Sequence, residues 1–319
     1  MPNAPSVEEL KQFVCYEKSD SVSKDPEMTA FKQAARLHQA KWREMKGYPM
    51  GTHPYTPEPD EKSRRIGSRI ESAFALSNGV NFLTDTIRNA VEHRISNKEK
   101  GQMLGEDRLY CNLLSSMPMC FNMFGELHHN LDYATKAITS ICPSEYLTSV
   151  EAVKFEWSPG RSDPKYLNNG SAFDVAFKTK TPDNDQGIIG VETKYHEHCT
   201  YSKTLIKGEK LQRYRDVHER SHVFKSEALN NILGTELEQI WLDHLLVLSM
   251  LQHESMSWHR GKFILVAPAK NSSYKRAAEK YLSQLKDDFT FEYLTVESII
   301  DQNILSTETS KLFRERYLW

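Results

Sequence analysis

The sequence predicts an α/β fold: a mixed β-sheet core flanked by helices, carrying a helical N-terminal extension. Three observations predict it. Residues 149–195 hold three segments with strand period, separated by turn chemistry. A short continuous apolar run, GKFILVAPA, lies beyond a long helical stretch and has the character of a strand buried on both faces. The first half of the chain shows helical periodicity almost throughout.

Taken in order, residues 1 to about 25 carry little pattern. A helix then starts at DPEMTAF, with Asp25 as N-cap and Pro26 at the first position, and stops at Gly47. YPMGTHPYTPEPDEKSRR is rich in proline and charge and is expected as an extended loop. Helices follow at roughly 66–95, 105–115 and 118–141. In SVEAVKFEW, Val153, Phe155 and Trp157 alternate with Lys154 and Glu156. In GSAFDVAFK, Phe173, Val175 and Phe177 alternate with Asp174 and Ala176. KTPDNDQG turns the chain into IIGVETKYHE. A helical region covers about 205–255, clearest at ELEQIWLDHLLVLSML; SYKRAAEKYLSQL is a helix and FTFEYLTVESII begins as a strand. There is no internal repeat. The organisation expected is a helical extension over 1–100 and a core over 101–319.

Composition bounds the function classes. The chain has 319 residues, 39% of them hydrophobic and 26% charged, which describes a globular protein rather than a disordered one. A net charge of −2 favours no partner in bulk, so a nucleic-acid binder of this composition needs its basic residues concentrated locally. No apolar run approaches the ~20 residues of a membrane span, and MPNAPSVEELKQF lacks a signal-peptide pattern. The five cysteines are irregularly spaced without a CxxC pair, as expected of reduced thiols in a cytoplasmic protein.

The stretch GVETKYHE carries the chemistry. Glu192 and Lys194 stand two apart, so in a strand they share a face. Charges on a buried strand are costly unless paired. Folding the hairpin between the second and third strands brings Asp174 near Glu192, with Lys194 one pleat further on. Two converging carboxylates repel unless a cation lies between them. Mg²⁺ suits such a site, because it takes a couple of carboxylates together with water and phosphate oxygens. The bland reading is a solvated ion-pair cluster on a sheet edge. Glu156, near the end of the first strand, is either a third carboxylate of the site or a solvated strand end.

Asp174, a turn, then Glu192-Thr193-Lys194 resembles the PD-(D/E)xK nuclease superfamily, the restriction-endonuclease-like fold. The segments QAKWRE, NFLTDTI, CFNMFGEL, FEWSPGR, SAFDVAF and VETKYHE extend the resemblance, to a prokaryotic restriction-endonuclease-like family, over about residues 30–300. Phe173 stands where the literal motif has proline, a position that contributes no ligand. The resemblance implies a Mg-dependent hydrolase of phosphodiester bonds, with Mn²⁺ as an alternative ion. Nucleic acid, DNA first, is the implied partner; a homodimer is left open and no membrane is involved. It implies Asp174, Glu192 and Lys194 as catalytic, with Asp174, Glu192 and the backbone carbonyl of Thr193 on the metal. His196, at the mouth of the site, and Gln239 and His244, on the later helix, are accessory candidates. The competing readings are a catalytically silent nucleic-acid-binding protein and a metal phosphohydrolase of small molecules.

The remaining features are weaker. His196, Glu197, His198 and Cys199 have no second ligand pair at zinc spacing, so a zinc site is not expected. The tryptophans, Trp42, Trp157 and Trp241 among them, are assigned to the core. Lys203, Lys207, Lys210 and Arg213, followed by Arg215 and Arg220, form a basic run diluted by Glu209, Asp216 and Glu219. Such a run is ordinarily a solvated helix face; directly after the catalytic strand it is expected to track phosphates.

Overall fold

The computed structural model describes residues 4–53, 65–102, 104–142, 145–201 and 206–319. Helix α1 (Val7–Gln12) is one short piece capped by Ser6. Helix α2 (Pro26–Met45) begins and ends on its sequence signals. Asp25 accepts the Met28 amide at 3.0 Å, Pro26 opens the helix, and Gly47 lies beyond its end at φ +70°.

The next segment departs from expectation. Strand β1 (Met50–Thr52) pairs antiparallel with β2 (Arg65–Ile70), where a loop and the start of a long helix were predicted. The hairpin is held by contacts distant in sequence, which periodicity does not register. Arg43 Nε donates to the Gly67 carbonyl at 2.8 Å, and the Gly67 amide donates to Val14 O at 2.6 Å. A Cβ on Gly67 would meet Phe13 O at 2.1 Å, so this approach requires glycine. The rest of the predicted helix divides into α3 (Ser72–Asn78) and α4 (Asp85–Ser96), broken at Gly79 with φ +61°. The predicted 105–115 helix is a π turn, Asp107–Cys111. The last of this group becomes α5 (Ser116–Phe124) and α6 (Leu131–Ile141), joined by a 3-10 turn. Asn130 caps α6.

The sheet has five strands: β3 (Ser149–Trp157), β4 (Phe173–Lys180), β5 (Gln186–Thr193), β6 (Trp258–Ala267) and β7 (Phe291–Thr295), in that spatial order. The first three form an antiparallel meander; β6 and β7 add in parallel. Parallel neighbours need crossovers. These are α7 (Gly208–Ser221), α8 (Ala228–Ile232) and α9 (Glu238–Leu251) before β6, then α10 (Ser272–Leu282) before β7. Helices α11 (Val296–Asp301) and α12 (Thr307–Tyr317) follow.

Two apolar layers sandwich the sheet. On one side Phe155, Val175, Val191 and Ile264 pack with Ile87 and Val91 of α4, Phe121 and Phe124 of α5, and Phe313 of α12. Side chains from before and after residue 100 share this cluster. On the other side Ala176, Ile188, Phe263 and Leu265 pack with Tyr214 of α7, Trp241 of α9 and Tyr281 of α10. Far-separated segments also close on each other. Arg316 is fully buried, lies 4.5 Å from the Trp42 ring, and donates to Asn81 O at 2.6 Å. Gln39 Nε2 donates to the Arg316 carbonyl at 2.8 Å.

Candidate active site

Strand register assembles the site. Val175 lies opposite Val191, so one step along the antiparallel ladder sets Asp174 against Glu192. On the other flank Phe155 lies opposite Val175 and Trp157 opposite Phe173, which sets Glu156 against Asp174. Carboxylate-bearing residues of three adjacent strands thus stand in one row across the sheet.

Each is fixed by its surroundings. Thr193 donates to Asp174 Oδ2 twice, from its amide at 2.8 Å and its hydroxyl at 2.6 Å. Among the described residues no donor takes Oδ1. Lys194 Nζ donates to Glu192 Oε1 at 2.6 Å, with side chains only 16% and 13% exposed. The Lys194 amide donates to Val266 O at 2.8 Å, which docks the motif on β6. Glu156 has a left-handed backbone, φ +46°. Its carbonyl accepts from Gln102 Nε2 at 2.7 Å and Arg161 Nη2 at 3.0 Å, while Arg94 Nε holds the Phe155 carbonyl at 2.7 Å. Those clamps offset a conformation that costs a non-glycine residue about 1–2 kcal/mol.

The electrostatics are those of crowded acids. Burial raises the Asp174 carboxyl above its ordinary value, against the pull of Lys194 and Thr193. Burial and then Asp174 push Glu192 well up, with Lys194 opposing. Glu156 is pushed to about 7 by burial and then by Asp174, despite Arg161, Arg108 and Arg94. Burial disfavours the Lys194 ammonium, yet Glu192 and the other acids nearby outweigh it and hold the proton on.

Among the described residues, no group of three His, Cys, Asp or Glu side chains converges as a ready-made metal cage. The donor set instead fits a hard divalent cation of the Mg²⁺ type. Such an ion takes one or two carboxylates and keeps its remaining positions for water and substrate oxygens. Asp174 Oδ1 and Glu192 Oε2 are acceptors without a protein donor among the described residues, in a site whose acids repel one another.

A family model of the PD-(D/E)XK nuclease superfamily matches residues 23–319. The chain belongs to the PD-(D/E)XK nuclease superfamily. No curated protein and no solved structure matches it. The five-stranded mixed sheet flanked by helices is consistent with the superfamily's restriction-endonuclease-like fold. Among the described residues no helix is long and apolar enough to cross a membrane.

Around this superfamily motif the accessory candidates separate. Gln239 Nε2 donates at 3.1 and 3.0 Å to the two oxygens of Asp243, one turn further along α9. Asp243 is a residue that sequence reasoning passed over. It is buried, its carboxyl is pushed up to about 6 by burial against the pull of Lys194, and its charge acts on both Glu192 and Lys194. The signal was present: a lone acid inside LDHLLVL has no place in an apolar helix unless something pairs with it. His244, the next residue, is not brought to the row. It lies between Tyr281 Oη and Thr290 Oγ1, each at 2.9 Å, and burial depresses its imidazole to about 3. His196 Nε2 sits 3.1 Å from Asp20, which Arg36 grips with two nitrogens at 2.5 and 2.8 Å. Glu197 turns elsewhere, accepting from Ser116 Oγ at 3.0 Å and the Tyr195 amide at 2.7 Å.

The basic run is also divided. Lys207 and Lys210 are exposed at the start of α7. Arg213 donates to the carbonyls of Tyr166 at 2.6 Å and Lys165 at 2.9 Å, so its guanidinium fastens a loop instead of facing solvent. Lys203 lies outside the described residues.

Proposed function

We propose that this protein is a metal-dependent nuclease that hydrolyses phosphodiester bonds in DNA. The observation that carries the reading is the row Glu156–Asp174–Glu192 across β3, β4 and β5, with the ammonium of Lys194 held against Glu192. Asp174 and Glu192, with the Thr193 carbonyl by likeness to the superfamily motif, would hold Mg²⁺ or Mn²⁺. Such an ion supplies an acidified water and neutralises charge that builds on the phosphate.

The chain's own residues do the rest. The two hydrogen bonds from Thr193 fix one Asp174 oxygen and leave the other for a ligand. Lys194, kept protonated by its acidic neighbours, serves as a fixed positive charge beside the attacked phosphate and orients the water there. Asp243, positioned by Gln239, steadies that ammonium from the α9 side. Lys207 and Lys210 contact the backbone of the bound strand.

Incubating the purified protein with supercoiled plasmid in Mg²⁺, Mn²⁺ or EDTA tests the reading. Cutting in the metal lanes and none in EDTA is expected, with Lys194→Ala inert. Binding of DNA without cutting in any metal would replace the nuclease by a silent nucleic-acid-binding protein.

A further inference from the structure

A cavity of about 460 Å³ is walled in part by His196 and Glu197, just past the motif on β5. Its walls come from α2, β2, the π turn and the segment after β5: Arg36, Arg69, Arg108, Asn112, Ser115 and Glu197 among others. The floor is built by backbone pairing. Arg69 forms an antiparallel bridge with Asn112, and the Leu113 amide donates to Ser68 O at 3.2 Å. Two wall residues act electrostatically on the carboxylate row. Arg108 pulls on the carboxyl of Glu156, and Glu197 is close enough to act on Asp174 and Lys194.

Most acceptors of the wall are engaged, and Arg36 is spent on Asp20 and Ser68, whereas the donors of Arg108, Asn112 and Ser115 are left over. Asp107 is ion-paired to Arg69 Nη2. Both oxygens of Glu197 hold donors from the protein itself. Asn112 uses its amide oxygen on Leu114 N at 3.0 Å, and Ser115 uses its hydroxyl oxygen on Met117 N at 3.3 Å. Arg69, only 6% exposed, is paired with Asp107, and its unpartnered Nε is sealed from solvent and so from the open cavity. The Asn112 amide hydrogens, the Ser115 hydroxyl hydrogen and the exposed guanidinium of Arg108 donate to nothing among the described residues. A concave wall of unengaged donors that includes the Arg108 guanidinium is complementary to a multi-oxygen anion. The volume lies in the range of ligand pockets and exceeds what a bare phosphate needs.

We propose that this cavity seats a second phosphate group of the bound nucleic acid, distinct from the one attacked, through Arg108, Asn112 and Ser115. The proposal rests on the nuclease reading for the identity of its ligand. The phosphate is either an internal phosphodiester or a terminal phosphomonoester, and the two share the same recognition chemistry.

Binding of fluorescein-labelled duplex, in Ca²⁺ to block cutting, separates these sources. The arms are a 5′-phosphorylated linear duplex, its 5′-hydroxyl counterpart and a covalently closed minicircle. The variants are Arg108→Ala combined with Asn112→Ser, and Arg108→Glu alone at its exposed position, each checked for a wild-type melting profile. Loss of two charged or polar contacts is expected to weaken binding about tenfold or more. Weakening confined to the 5′-phosphorylated duplex assigns a terminal phosphate; equal weakening of all three assigns an internal one. Unchanged binding in all arms by both folded variants, with plasmid cutting intact, overturns the pocket and leaves the nuclease reading standing. If the wild type neither cuts nor binds nucleic acid, the nuclease reading fails separately. The pocket is then judged by inorganic pyrophosphate alone: a thermal shift in the wild type that the variants lack upholds it, and no shift overturns it.

Discussion

The sheet carries two buried Lys–Glu pairs, and they are unlike. Lys262 on β6 donates to Glu292 on β7 at 3.1 Å, and its ammonium lies 5.1 Å from the Tyr146 ring. That pair is a cross-strand link between one cation and one anion. Lys194 and Glu192 make a closer contact, 2.6 Å, from one strand, and Asp174, Asp243 and Glu156 stand around them. The first pair is balanced and stabilises a sheet edge. The second is outnumbered by carboxylates, an arrangement that a chain selected only for stability would not keep. A Glu and a Lys in contact therefore say little. What marks a site is the surplus of like charge beside them.

The largest effect expected from this contrast is on cleavage. Lys194→Ala should lower the rate by about 10²–10³-fold, the loss typical of removing one preorganised charge at a reacting centre. Lys262→Ala should leave the rate per folded molecule within about twofold of wild type. Plasmid cutting by both, at matched helical content, breaks the comparison if the two variants behave alike. Stability sharpens it next. Because burial raises the Asp174 carboxyl, its charge destabilises the metal-free fold at neutral pH. Asp174→Asn should raise stability, seen as a higher Tm in EDTA, whereas Glu292→Gln should lower it by removing a balanced partner.

A pH titration makes a third test. With a folded value near 7, Glu156 holds its proton in the native state through a window where the unfolded chain has lost it. Between about pH 4.5 and 7 the folded state binds more protons, so this group's contribution falls as pH rises. Over that window the metal-free wild type should lose on the order of 2 kcal/mol relative to Glu156→Gln; parallel urea profiles for the two would remove Glu156 from the row. The smallest effect concerns salt. Replacing Lys207 and Lys210 by Ala should flatten the log–log salt dependence of duplex binding by about 2, near 0.9 per phosphate contact. Arg213→Ala should act on stability instead, because its guanidinium holds two loop carbonyls.

What the sequence disclosed follows the same divide between local and distant causes. The meander β3–β4–β5 was legible because Val153, Phe155, Val175 and Phe177 alternate strictly. Strand β6 was legible as an unbroken apolar run. The ladder then fixed which carboxylates meet. Strands β1 and β2 were not legible, since RIGSRI has no apolar alternation and is held by Arg43 and Val14 from elsewhere. Within the candidate site, Asp174, Glu192 and Lys194 form a local pattern. Asp243 arrives from a helix about fifty residues later, and only its misfit in an apolar helix announces it. The cavity beside the motif had no sequence signature, because its walls come from separate segments that meet only in the folded chain.

The contact between α2 and the last helix sets an order of events during synthesis. Gln39 and Trp42 close on Arg316, made 277 positions after Gln39, and Arg36 on the same helix helps wall the cavity beside the motif. Local elements such as the β3–β5 meander form early, whereas contacts this distant in sequence wait for the later segment. The carboxylate row is thus within reach of folding on the ribosome, but the α2 side of the molecule is not. A nascent chain would carry the elements of the chemistry before the α2 contact can form.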